Sequence, residues 1–350
     1  MAAASRAGLP PWKHVLALVA LSPFFAEWMT GSTPPAEVLN PIAFVVSAAG
    51  LAGMYGGGVL LVRELTLRWH KGWATVLLLG AAYGVLEEGV AVHTFFQPSG
   101  SPVGILGSYG HWMGTNWVWD VGLAGFHSAV SIALPILFVA LWWPEHRERR
   151  LLDGRKFAWT ALAYVCTILF FAAIAPHAPS ALGYAGCLVA VGGLVALARW
   201  VPSELLLAPR GAVPPRPWRL FGLGAVFLPA WLLIGQLGAL SGIPPALTIA
   251  LVLAACEGSV LLGYRFVGRL LPPESAFYFL AGTVGALMGF SLVLGLGSPA
   301  IGTLVNLPIA GALLWLLHRR IAHDRRTLPA APTGPSEVPA GARAASPRPY

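Results

Sequence analysis

The stretch Trp73–Phe96, WATVLLLGAAYGVLEEGVAVHTFF, is long enough and apolar enough to cross a bilayer, yet it carries two adjacent carboxylates, Glu87 and Glu88. A charge placed there costs roughly 2.5–3.5 kcal/mol on insertion scales. A chain keeps such a cost when something else needs the carboxylate, so this run decides the class of the molecule and points to its site. The rest of the chain agrees about the class. Its 350 residues are 57% hydrophobic and 10% charged, with a mean hydropathy of +0.71. Soluble domains run near 25% charged. So few charges cannot cover a water-facing surface, and the solvent of this chain is lipid.

Working outward, ten apolar runs of spanning length can be marked, near 12–29, 41–62, 73–96, 117–143, 157–176, 181–198, 219–239, 245–264, 275–297 and 300–318. The first lacks a small-residue cleavage site and reads as a retained helix, not a signal peptide. With the N-terminus inside and the sides alternating, all 22 Lys and Arg fall on one side or at that membrane edge. The expected fold is therefore an all-α polytopic membrane helix bundle, with about ten transmembrane helices and both termini cytoplasmic. Its expected location is the cell membrane, of the bacterial cytoplasmic type. The net charge of +8 faces anionic inner-leaflet lipid, and no nucleic-acid partner is expected. Cys166, Cys187 and Cys256 all lie in apolar runs and form no disulfide framework.

The sequence divides at its basic segment. Residues 1–145 form a first four-helix bundle holding most intramembrane polar residues. Residues 146–156 form a basic cytoplasmic loop, and 157–320 a six-helix apolar bundle. The tail 327–350, rich in Pro, Ala, Gly and Ser, reads as disordered. The outer loop Gln97–Asn116 either lies in the interface or dips back as a lid. No convincing internal repeat appears.

A polar constellation emerges from helix arithmetic. Glu88 lies roughly 22 Å beyond Trp73, and Glu27 reaches about the same level on the first helix. On the returning fourth helix, Asn116, Asp120, His127 and Ser131 fall within an arc of roughly 60°. An outward-opening pocket follows, with Glu87, Glu88 and His127 as catalytic candidates. Glu27, Asp120, Asn116 and Tyr83 are the binding candidates. Glu87 and Glu88, 100° apart on an α-helix, are not expected to face the same spot. Gly53-x-x-x-Gly57 and Gly80-x-x-x-Gly84 would let helices approach closely. Glu257 stands alone on the eighth run. Arg63-Glu64 reads as an interfacial ion pair, and His93 and His111 as solvated outer residues. The chain has no HExxH, CxxC, Walker loop or GxSxG, and no metal or cofactor is expected.

Adjacent glutamates in one membrane helix, with a histidine in the next, resemble the CAAX-protease and bacteriocin-processing family of intramembrane enzymes. Glu87 and Glu88 match its Glu-Glu-x-x-x-Arg motif, with Val92 at the Arg position. His127 matches the histidine of its Phe-x-x-x-His motif, with Leu123 at the Phe position. No membrane histidine supplies its third motif, since His177 sits in a short loop. The resemblance implies a glutamate that activates water, a histidine that stabilises the oxyanion, and cleavage of a peptide within the membrane.

Three functions thus stand open: a membrane-embedded hydrolase, a proton-coupled or small-solute transporter, and a non-catalytic scaffold whose polar residues pair helices. The expected partners are membrane lipid and a small-molecule or membrane-peptide substrate.

Overall fold

The computed structural model describes residues 12–33, 41–100, 102–176, 178–209, 211–270, 272–297 and 300–327. The tail read as disordered lies outside these residues from position 328, as does His177.

Helical segments occupy the ten expected places: α1 (12–28), α2 (41–68), α3 (Trp73–Ala91), α4 (Trp117–Trp142), α5 (Gly154–Ile174), α6 (Ala181–Trp200), α7 (Pro217–Leu240), α8 (Pro245–Val267), α9 (Pro273–Gly297) and α10 (Asn306–Thr327). The only sheet among the described residues is the hairpin β1 (His111–Trp112) and β2 (Thr115–Asn116), with His111 opposite Asn116. Eight helices, α2 to α9, are long and apolar enough to span a membrane. Helix α1 is too short for that criterion, and α10 runs past its apolar part into Arg319–Arg326, where no Gly or Pro stops it. The chain is an all-α polytopic membrane bundle.

Two boundaries differ from expectation. The third helix stops at Ala91, not Phe96, because His93 adopts a left-handed backbone (φ 64°). His93 is not solvated as expected. It is buried, with its ring against the carbonyls of Val90 (3.0 Å) and Pro176 (3.3 Å) and the Tyr184 hydroxyl (2.9 Å). The ring folds back over the last turn of its own helix, which supplies partners that water would otherwise give.

The helices differ in what surrounds them. In the most apolar part of α4, 89% of residues are buried, against 11% in α5 and in α6. Helix α4 is the centre, and α5 and α6 turn Leu, Val, Phe and Trp outward as a lipid-facing wall. Lipid gives no hydrophobic drive to bring helices together, so small residues and polar contacts must do it. A Cβ on Gly80 would lie 2.8 Å from the Ser128 Cα, and one on Gly84 would lie 2.9 Å from the His127 Cβ. The Gly80/Gly84 stripe therefore sets how near α3 comes to α4. Ser128 donates to the Leu77 carbonyl (2.7 Å) across the same seam. Gly84→Ala is expected to cost about 1–3 kcal/mol by overpacking, read as a lower melting temperature of the purified protein.

At the basic end, Arg63 and Glu64 are a buried ion pair at 3.1 Å. They do more than pair. Arg63 also donates to the carbonyls of His146 (3.0 Å), Arg147 (3.3 Å) and Arg149 (2.9 Å), and Glu64 accepts from the Leu151 amide (2.8 Å). This fixes the loop between α4 and α5. Arg63→Ala would leave Glu64 buried without its nearest partner, at a cost of about 3–5 kcal/mol. Lys should not restore the loop, because only the planar guanidinium fork reaches several acceptors at once. Limited proteolysis of residues 146–152 measures the release.

Candidate functional site in the outer half of the bundle

Five helices loosen into π turns, at Phe24–Trp28, Ala52–Gly56, Val85–Ala91, His127–Ala133 and Leu253–Glu257. Each carries a buried or half-buried polar residue: Glu27, Tyr55, the Glu87–Glu88 pair, His127 and Glu257 respectively. A π turn widens the helix and re-aims the side chains it holds. Here the widening brings together groups that regular α-helices would separate.

The centre is His127. Its Nε2 lies 2.9 Å from Glu88 Oε1, and its Nδ1 lies 3.1 Å from Glu87 Oε2 and 2.9 Å from the Ser131 hydroxyl. Both glutamates therefore meet one imidazole, against the expectation of divergent directions. That expectation assumed 100° per residue, and Val85–Ala91 does not keep that period. The imidazole sits in an aromatic box, with Tyr83, Tyr55 and Phe126 ring centroids at 5.8, 6.2 and 5.5 Å. Tyr83 fits only because Gly58 has no side chain: a Cβ there would come within 2.3 Å of its ring.

Hydrogen bonds hold the carboxylates from outside. Thr94 donates to Glu88 Oε2, and the Trp119 indole donates to the Thr94 oxygen at 3.4 Å. Glu27 accepts from Tyr55 at one oxygen and from Thr33 (2.7 Å) at the other. Glu27, Glu87, Glu88 and His127 all line one cavity of ≈ 580 Å³. Its remaining walls are largely apolar, with Phe170, Phe171 and Ile174 from α5, Leu228 and Leu232 from α7, and Phe290 from α9. The outer loop dips back over it, as Val103 and Leu106 are buried and line the cavity. Tyr109 pins the loop, donating to the Ile243 carbonyl at 2.6 Å.

Residues 16–269 match an uncharacterized membrane protein family. The chain belongs to it. No curated protein and no solved structure matches the chain. The matched segment contains every residue of the site, from Glu27 to His127, and seven of the eight long apolar helices, α2 to α8. This member of the family is a multi-pass integral membrane protein.

The remaining binding candidates fall differently. Tyr83 packs on His127 but does not line the cavity. Asn116 is buried in the loop, bonded to His111 (2.7 Å) and to the carbonyls of Thr94 (3.2 Å) and Gln97 (2.6 Å). It holds up the rim of the cavity without lining it. Asp120 is close enough to interact electrostatically with Glu88, yet neither of its buried oxygens has a hydrogen-bond partner among the described residues. Glu257 packs on Gly125, outside the cavity. Tyr55, Thr33 and Thr94 were not anticipated. A tyrosine among the glycines of GMYGGG was the one hint. The ligand atoms of Glu87, Glu88 and His127 lie within 4.8 Å of one another, near enough to hold a metal ion. The two ring nitrogens point to different carboxylates, so in this arrangement one ion would take Glu88 and Nε2, with Glu87 orienting the ring.

Proposed function

We propose that the chain is a membrane-embedded hydrolase that cleaves an apolar, membrane-borne substrate. One observation carries this reading: two carboxylates meet one imidazole on the wall of a cavity whose other walls are apolar. Glu88 is the general base. It takes a proton from a cavity water, whose oxygen adds to the substrate carbonyl. Once protonated, Glu88 loosens its hold on His127 Nε2, and that N–H turns to the developing oxyanion. The intermediate collapses as Glu88 returns the proton to the leaving nitrogen or oxygen. Glu87 balances the charge on His127 and, with Ser131, orients its ring. The resemblance to the CAAX-protease and bacteriocin-processing family supports the same roles at the same three positions. Glu27 lies outside that resemblance. Its place on the wall suits a substrate amide or a second water.

Transport is the second reading, favoured by Asp120 and Glu257, buried carboxylates beyond the His127 cluster. Proteoliposomes separate the two. A set of reporter membrane peptides should be cut, as seen by mass spectrometry, with no proton flux by an enclosed pH dye. Flux without cleavage would reject the hydrolase.

A further inference from the structure

The bundle holds a second cavity at its basic end, of ≈ 290 Å³, bordered by the inner ends of α1 to α4 and the segments after α6 and α8. We propose that it binds the phosphate of an anionic phospholipid head group. The inference is independent of the hydrolase reading, because the two cavities lie at opposite ends of α3 and α4.

Charge points to an anion. Lys71, Arg147 and Arg269 converge on the cavity from three separate segments, with one carboxylate, Glu148, on the lining. Glu148 is already engaged with Arg147 at 3.3 Å. The cations are anchored but not used up. Lys71 donates to the Val201 carbonyl at 2.8 Å, and its ammonium has two further protons. Arg269 donates to the Ala208 carbonyl through Nε at 3.0 Å, which leaves the four N–H of its outer nitrogens.

A buried polar atom adds a second, separate indication. His146 lines the cavity and is only 6% exposed, and its Nδ1 makes no hydrogen bond among the described residues. Its ring is held by His14 at 4.4 Å, which itself packs on Trp143 at 4.5 Å. The Arg63–Glu64 pair fixes the loop that carries His146 and Arg147, so the site is formed in advance.

The apolar walls decide between sources of phosphate. Trp73, Val76, Ile136, Val139 and Trp143 also line the cavity. A free phosphate gains nothing from them, whereas the glycerol and upper acyl chain of a lipid do. Basic pockets between helices at this membrane edge are the usual form of lipid head-group sites.

The test uses the full chain in phosphatidylcholine nanodiscs, with phosphatidylglycerol or inorganic phosphate added. Native mass spectrometry should show phosphatidylglycerol retained over phosphatidylcholine, with a matching rise in melting temperature. The double variant Lys71→Gln/Arg269→Gln, which spares the Arg63–Glu64 pair, should lose about 30-fold in retention, the effect of two cationic contacts on an anionic head group. A photoreactive phosphatidylglycerol should label the 143–153 segment of the wild type, a readout that needs no variant. Equal retention of the two lipids, saturation by inorganic phosphate alone, or label confined to other segments would each overturn the proposal.

Discussion

Replacement of Glu88 by Gln should lower the rate of peptide cleavage in proteoliposomes by about 10²–10⁴-fold, the range for loss of a positioned general base. The amide keeps the size of the carboxylate and still accepts from His127 and from Thr94. The fold should therefore survive, with helicity and melting temperature close to wild type. It cannot take the proton of an attacking water, so the loss should fall on kcat more than on KM. Glu87→Gln should do less damage. Glu87 lies on the far nitrogen of the ring and is the more deeply buried of the two, at 2% exposed against 8%. A scaffold would show the opposite, with both variants silent. A transporter would lose flux and never cleave.

His127→Ala should be the most destabilising single change at the site. It removes the one group that contacts both carboxylates and leaves two negative charges side by side in a low-dielectric interior. Breaking a buried pair by deleting one partner costs about 3–5 kcal/mol, so a large fall in melting temperature is expected along with loss of activity. The cause can be isolated. If charge is responsible, adding Glu87→Gln to His127→Ala should recover part of the stability but none of the activity. A double-mutant cycle reads the coupling directly. If the loss instead came from the hole left in the aromatic box, Glu87→Gln would recover nothing.

Most of the bundle was legible in the sequence because lipid imposes a coarse rule. Each spanning helix must be a long apolar run, and ten such runs can be marked. Glu87 and Glu88 were legible for the same reason, since a carboxylate in such a run stands out. Their joint contact with His127 was not. It depends on the π turns at Val85–Ala91 and His127–Ala133, and these follow from packing at Gly80 and Gly84, not from any period in the residues. Uncharged donors were equally hidden. Thr33 and Thr94 look like loop residues until the chain folds them onto Glu27 and Glu88. Asn116 misled in the other direction. Its place on the α4 stripe suggested a wall residue, but a buried amide beside a tight hairpin is better spent on loop carbonyls. His93 misled because a helix-ending histidine can find its partners in its own last turn.

The account stands most directly on water activated by Glu88. Cleavage of a membrane peptide by the reconstituted protein in ¹⁸O-enriched water should place one heavy oxygen in the new carboxyl terminus, at a rate that collapses in Glu88→Gln. Product formed at the same rate by Glu88→Gln, or a new terminus without the label, would contradict it.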